Sequence, residues 1–189
     1  MYLKILIEMN YFLNFLLAVL MLMVFFIPGI VISLMIKLTS KGTIIYYSER
    51  IGKDKEVFMM PKFRTMQSQT PQVATHLLEN PEQYLTSIGS FLRKYSLDEI
   101  PQVLSVIKGD MNIVGPRPAL FNQQDLIALR DLHKINTLKP GITGWAQVNG
   151  RDEISIEDKV ILDKIYFSKA SLFFDIYIIF LTLKKVIYP

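Results

Sequence analysis

Cysteine is absent from all 189 residues. That excludes disulfide scaffolds, thiolate zinc sites, iron–sulfur clusters and thiol nucleophiles. Histidine is nearly absent, and His76 and His133 cannot by themselves form a multi-histidine metal site. Charged residues make up only 20% of the chain against 51% apolar, a balance that excludes a disordered chain or an acidic solvating tail. Charge is missing altogether from the 28 residues between Glu8 and Lys37. Repeats and low-complexity tracts are also lacking, and the length fits one domain.

The charge-free run is rich in Leu, Ile, Val, Met and Phe. A membrane-crossing helix needs about 20 apolar residues, so the run predicts membrane insertion. A cleaved signal peptide fits poorly, because the apolar region is too long and no small-residue cleavage site follows it. Pro28-Gly29 lies inside the run. Proline removes a helical hydrogen bond, and glycine weakens continuation. The sequence therefore predicts two helices, 9–27 and 29–38, separated by a break. The second arm would be only about 15 Å long, roughly half the hydrocarbon thickness. That favours a re-entrant hairpin, entering and leaving by one face, over a kinked spanning helix. Asn10, Asn14 and Ser33 are polar points within it.

The basic excess is local. From Lys37 to Arg64 there are seven basic and three acidic residues, 7 − 3 = +4, which equals the net charge of the whole chain. A basic segment directly after an apolar one points to anionic headgroups or phosphorylated ligands at a membrane. Nucleic acid is a poor fit, since no recognition motif accompanies the charge.

The expected architecture is α+β and mostly α, with a membrane anchor over 1–40 and one further folded domain over 41–189. Residues 43–49 and 56–60 read as strands joined by a turn at 52–55. Helical spacing covers 81–94, 98–108 (closing at Gly109), 122–136, 156–167 and 172–186. Residues 111–114 are a short apolar run, and 139–151 a Gly/Pro-punctuated loop. In the last helix, Phe173, Phe174, Ile176, Tyr177, Phe180 and Leu183 suit either core packing or a position in the membrane interface.

Four constellations could carry chemistry. Asp98 and Glu99 stand at a predicted helix start, where exposed N–H groups favour anions. Ser96 and Glu99 equally have capping-box spacing. Arg117 is set between Pro116 and Pro118, which suits either a rigid guanidinium for bidentate phosphate binding or an ordinary surface turn. Lys62, Arg64 and Met66 share one face if a strand continues through them. The only tryptophan, Trp145, lies in a glycine-punctuated loop, as a stacking platform or as core.

In order along the chain these motifs are Lys62-Phe-Arg-Thr-Met66, Ser96-Leu-Asp-Glu-Ile-Pro-Gln102, Lys108-Gly-Asp-Met-Asn-Ile-Val-Gly-Pro-Arg-Pro118 and Pro140-Gly-Ile-Thr-Gly-Trp-Ala-Gln-Val-Asn-Gly-Arg151. Together they resemble the bacterial sugar transferases, the monotopic polyprenol-phosphate phosphoglycosyl transferases with a single small catalytic domain. The resemblance implies transfer of a sugar 1-phosphate from a UDP-sugar to polyprenol (undecaprenyl) phosphate, with release of UMP. It implies that Asp98 is a covalent nucleophile in a ping-pong cycle and that Glu99 assists it. It further implies Mg²⁺ held at Asp98 and Glu99, with Arg117 gripping phosphate. Lys62, Arg93, Arg151 and Asp163 match charged positions around that family's site. The implied location is the cytoplasmic face of the bacterial inner membrane, with a re-entrant helix broken at Pro28. Homo-oligomers or glycosyltransferase partners are compatible with this reading.

Overall fold

A computed structural model describes residues 2–67, 69–70, 80–150 and 154–188. The first helix, α1 (Tyr2–Thr39), runs without interruption through Pro28, about 57 Å in length at 1.5 Å per residue. The predicted split into two helices is therefore not found. The reason lies in packing. Asn14, Ala18, Met21, Phe25, Gly29, Ile32 and Ile36 form one buried or half-buried stripe, three or four residues apart, while most of the remaining surface is open. Ala18 joins a core cluster with Met60, Val103, Met111 and Ile113. Ile32 and Ile36 join another with Phe63 and Leu92. A proline inside a helix costs about 3 kcal/mol, while each fully buried isoleucine contributes roughly 1.5–3 kcal/mol. Docking on both sides of Pro28 outweighs the lost hydrogen bond.

Strands β1 (Ile45–Ile51) and β2 (Val57–Phe63) form the predicted hairpin, in register from Ile45↔Phe63 to Ile51↔Val57. Asp54 and Lys55 take left-handed conformations at its tip.

The predicted helix over 81–94 divides. A 3-10 turn at Pro81–Tyr84 leads to Leu85, which bridges to Met66, and α2 (Gly89–Lys94) follows. Thr86 donates its N–H to the Thr65 carbonyl at 2.9 Å. A Cβ on residue 89 would lie 2.2 Å from that same oxygen, so only glycine fits there.

The helix over 98–108 divides too, into a 3-10 turn at Leu97–Gln102 and α3 (Val103–Lys108). Pro101 has no N–H to donate, which postpones the α-helical ladder. Gly109, at φ 90°, closes α3 as expected.

A second sheet was not legible in the sequence. β3 (Asn112–Val114) pairs in parallel with β4 (Gly141–Thr143), which falls inside the predicted loop. The pairing depends on close backbone approach, since a Cβ on residue 141 would meet the Gly115 nitrogen at 2.1 Å. Between the two strands, α4 (Gln124–Leu132) is shorter than predicted and ends in a 3-10 turn at Ile135–Thr137.

The short α5 (Trp145–Val148) places the Trp145 ring 5.1 Å from Phe174, as part of the packing and not as an open platform. Helices α6 (Ile156–Lys169) and α7 (Leu172–Ile187) lie close to prediction, and Ser155 and Ser171 accept N–H bonds at their N-termini. In α7, Ile178 is fully buried, while Phe173, Ile176, Tyr177, Phe180 and Leu183 are exposed. One helix thus serves the core with one stripe and presents an apolar stripe outward.

Candidate active site

Asp98 and Glu99 sit in the 3-10 turn before α3, and both are buried. The capping-box alternative is not realised. Ser96 adopts a left-handed backbone, φ 55°, and its side chain does not cap the turn. The Glu99 carboxylate turns instead toward two cations. Lys62, near the end of β2, places Nζ 2.9 Å from Glu99 Oε1. Arg117, three residues past β3, places Nη2 2.9 Å from the same oxygen, with Nη1 3.5 Å from Oε2. Two strands from two separate sheets therefore converge on one carboxylate.

Asp98 is placed differently. Its Oδ2 lies 4.0 Å from Lys62 Nζ, and its buried Oδ1 has no hydrogen-bond partner among the described residues. Leaving a buried polar atom unpaired costs about 1–3 kcal/mol. Burial pushes the Asp98 carboxyl above its ordinary range and the Glu99 charge adds to the rise, against the opposing pull of Lys62, Arg93 and Arg117. Burial also pushes the Lys62 ammonium down, although the Glu99 carboxylate opposes the shift.

Arg93, in α2, acts on Asp98 through its charge, while its Nε donates to Thr65 Oγ1 at 3.0 Å. Among the described residues three cations, Lys62, Arg93 and Arg117, thus act on two carboxylates, a field suited to an incoming anion.

Asp163 is not brought to this cluster. It lies on α6, 1% exposed, and takes Nε and Nη2 of Arg130 on Oδ2 at 2.9 and 2.6 Å. Arg130 in turn donates Nη1 to the Arg117 carbonyl at 2.8 Å. Asp163 is thereby linked to the Arg117 loop through Arg130. Arg151 lies outside the described residues.

Sequence reading missed Arg130. Its signal was position: Leu126, Ile127 and Arg130 are all buried on one face of α4, and a charged residue on the apolar face of a helix calls for a partner. Arg64 leaves the expected common face, because the strand ends at Phe63, and its guanidinium turns to the end of α1.

Among the described residues no three His, Asp or Glu side chains converge as a metal cage. Two adjacent carboxylates with one unpartnered oxygen do suit Mg²⁺, which takes one or two carboxylates alongside phosphate oxygens.

A buried carboxylate pair among cations thus lies in a chain with one helix long and apolar enough to cross a membrane. Comparison with known proteins narrows the class. The family model described as "Bacterial sugar transferase" matches residues 7–189. The chain is 41% identical over 147 residues to the uncharacterized sugar transferase EpsL of Bacillus subtilis, covering 77% of this chain and 71% of that one. It is 40% identical over 162 residues to the UDP-glucose:undecaprenyl-phosphate glucose-1-phosphate transferase of Escherichia coli, covering 82% of this chain and 35% of that protein. It is 35% identical over 161 residues to the undecaprenyl-phosphate galactose phosphotransferase of Salmonella typhimurium, with 77% and 35% covered. The chain thus spans about a third of these two longer relatives. It belongs to the bacterial sugar transferase family and is a sugar-phosphate transferase.

Proposed function

We propose that this enzyme moves a sugar 1-phosphate from a UDP-sugar to polyprenol phosphate at a membrane surface. The observation that carries the reading is the asymmetry of the dyad. Glu99 is closed by two cations, while Asp98 keeps a buried, unpartnered oxygen beside it. A carboxylate in that state is a competent nucleophile toward phosphorus.

An Asp98 oxygen attacks the sugar-side phosphorus of the diphosphate. The new O–P bond forms as the bond from that phosphorus to the bridging oxygen breaks, and UMP leaves with the bridging oxygen. The sugar phosphate is now an acyl phosphate on Asp98. An oxygen of polyprenol phosphate then attacks the same phosphorus, the bond to Asp98 breaks, and the carboxylate is restored as the polyprenyl diphosphate sugar departs. Both steps build negative charge, which Lys62, Arg93 and Arg117 are arranged to offset. Glu99 keeps Lys62 and Arg117 at fixed spacing. Mg²⁺, which Asp98 and Glu99 would hold, supplies further neutralisation of the diphosphate.

The membrane placement we infer is monotopic, with both ends of α1 on the cytoplasmic face, where UDP-sugars are made. It is supported by the docked stripe of α1. A helix crossing the bilayer would carry its middle away from a water-facing domain, yet positions from Asn14 to Ile36 stay packed against it.

The test is the identity of the released nucleotide. With a panel of UDP-sugars and polyprenol phosphate in vesicles, UMP is the expected product. With donor alone, intact-protein mass spectrometry should show one added phosphosugar. Release of UDP would mean ordinary glycosyl transfer and would overturn the reading.

A further inference from the structure

The backbone N–H of Ile113 does not serve the β3–β4 pair, because its neighbours Asn112 and Val114 hold the register with Gly141 and Thr143. Covered by α1, this donor needs an acceptor. Asn14 Oδ1 takes it at 2.7 Å, across 99 residues of chain. One turn earlier on α1, the Tyr11 ring lies 3.9 Å beneath the ammonium of Lys139, just ahead of β4.

The C-terminal end of α1 is tied as well. Arg64, 5% exposed, donates Nη2 to the Ser40 carbonyl at 3.1 Å and to its hydroxyl at 2.8 Å, and Nη1 to the Lys41 carbonyl. A buried cation just past a helix C-terminus also complements the helix dipole.

These two ties lead to the same place. Arg64 stands two residues after Lys62, and Ile113 four residues before Arg117. Lys62 and Arg117 are the two cations that hold Glu99. An apolar seam alone tolerates sliding by a helical turn, whereas directional polar contacts at two separated points set one register, a known use of buried polar groups.

We propose that Asn14 and Arg64 are positioning residues. They clamp the N-terminal half of the apolar helix to β3 and its C-terminal end to the residue after β2, so that the seating of α1 sets the spacing of Arg117 and Lys62 around Glu99. The kinetic arm of the test rests on the reaction proposed above, and a second arm does not.

The full chain in lipid nanodiscs is compared with Asn14→Leu, which keeps shape but removes the acceptor, and with Arg64→Lys, which keeps charge but loses the fork. Amide exchange should rise about tenfold, the worth of one hydrogen bond, at residues 112–115 in the first variant and 62–65 in the second. In both, kcat for a UDP-sugar should fall by about tenfold or more with KM little changed. In Arg64→Ala, added ethylguanidinium should restore part of kcat; failure to do so in folded protein would remove Arg64 from the clamp.

Faster exchange with wild-type kcat would make the contacts structural only, and unchanged exchange would overturn the clamp outright. If wild type turns over no UDP-sugar, the reaction reading fails alone and the exchange arm still decides the clamp.

Discussion

Two buried clusters of charge meet at Arg117, and they are built on opposite principles. Arg130 and Asp163 form a closed pair, one cation to one anion, with two short hydrogen bonds and almost no exposure. Lys62, Arg93, Asp98, Glu99 and Arg117 form an open cluster, with a carboxylate oxygen that no described residue satisfies. The closed pair holds the backbone of Arg117. The open cluster is poised for a group it does not contain. Position in the chain does not separate the two roles, since acidic residues from both clusters were grouped together by sequence resemblance. Whether each polar atom is satisfied separates them.

Each arm of this comparison can be broken. The largest effect is expected at Asp98. Asp98→Asn preserves shape but not the nucleophile, so turnover should drop by roughly four orders of magnitude or more, with the phosphosugar adduct lost and melting temperature near wild type. Wild-type turnover in that variant would show that the unpartnered oxygen is not where the chemistry occurs.

Next is the joint. Arg117→Lys keeps the charge but cannot form the fork to Glu99, and kcat should fall by about a hundredfold, the scale of losing one oriented donor. If steady-state kinetics of Arg117→Lys match wild type, the residue only fills a turn.

The closed pair should answer in stability before catalysis. Asp163→Asn leaves the Arg130 charge buried with no anion, at a cost of about 3–5 kcal/mol, read by urea unfolding in detergent. Arg130→Met combined with Asp163→Leu should recover much of that stability while activity stays low, because the Arg117 carbonyl has lost its donor. Recovery of activity together with stability would show that the pair holds the fold but not the loop.

The smallest effect is at Asp175. Tyr166 donates its hydroxyl to Asp175 Oδ1 at 2.9 Å, while burial pushes the Asp175 carboxyl upward against that bond. A raised folded value means that the folded state keeps a proton the unfolded chain has released. That contribution is present below the ordinary value of about 4 and is lost as pH rises through the folded value. Asp175→Asn still accepts the bond, so stability at neutral pH should be unchanged or slightly higher and the pH slope flatter. A steeper slope in the variant would contradict the assignment.

Several elements were legible before any coordinates. The Ile- and Tyr-rich run over 43–49, the turn Gly52-Lys53-Asp54-Lys55 and the run over 56–60 specified the β1–β2 hairpin, and helical spacing over 156–167 and 172–186 marked α6 and α7. Local chemistry sufficed there, because turns and caps are satisfied by neighbours in sequence. The helix break at Pro28 was misjudged because local propensity was weighed without the core beneath it. The β3–β4 pair was missed because parallel strands so short carry no periodic signal, and their pairing depends on glycine backbones meeting across 26 or more residues.

By itself the sequence determined the family through its four ordered motifs, the membrane affinity through a run without charge, and the candidate nucleophile through the Asp98-Glu99 motif. The tertiary structure alone decided which carboxylate is free. Glu99 takes Lys62 and Arg117, which lie 37 residues before it and 18 after it, while Asp98 Oδ1 has no hydrogen-bond partner among the described residues. Electrostatic pairing acts through space over a few ångströms in a medium of low dielectric. The order of residues along a chain does not contain that distance until the fold closes it.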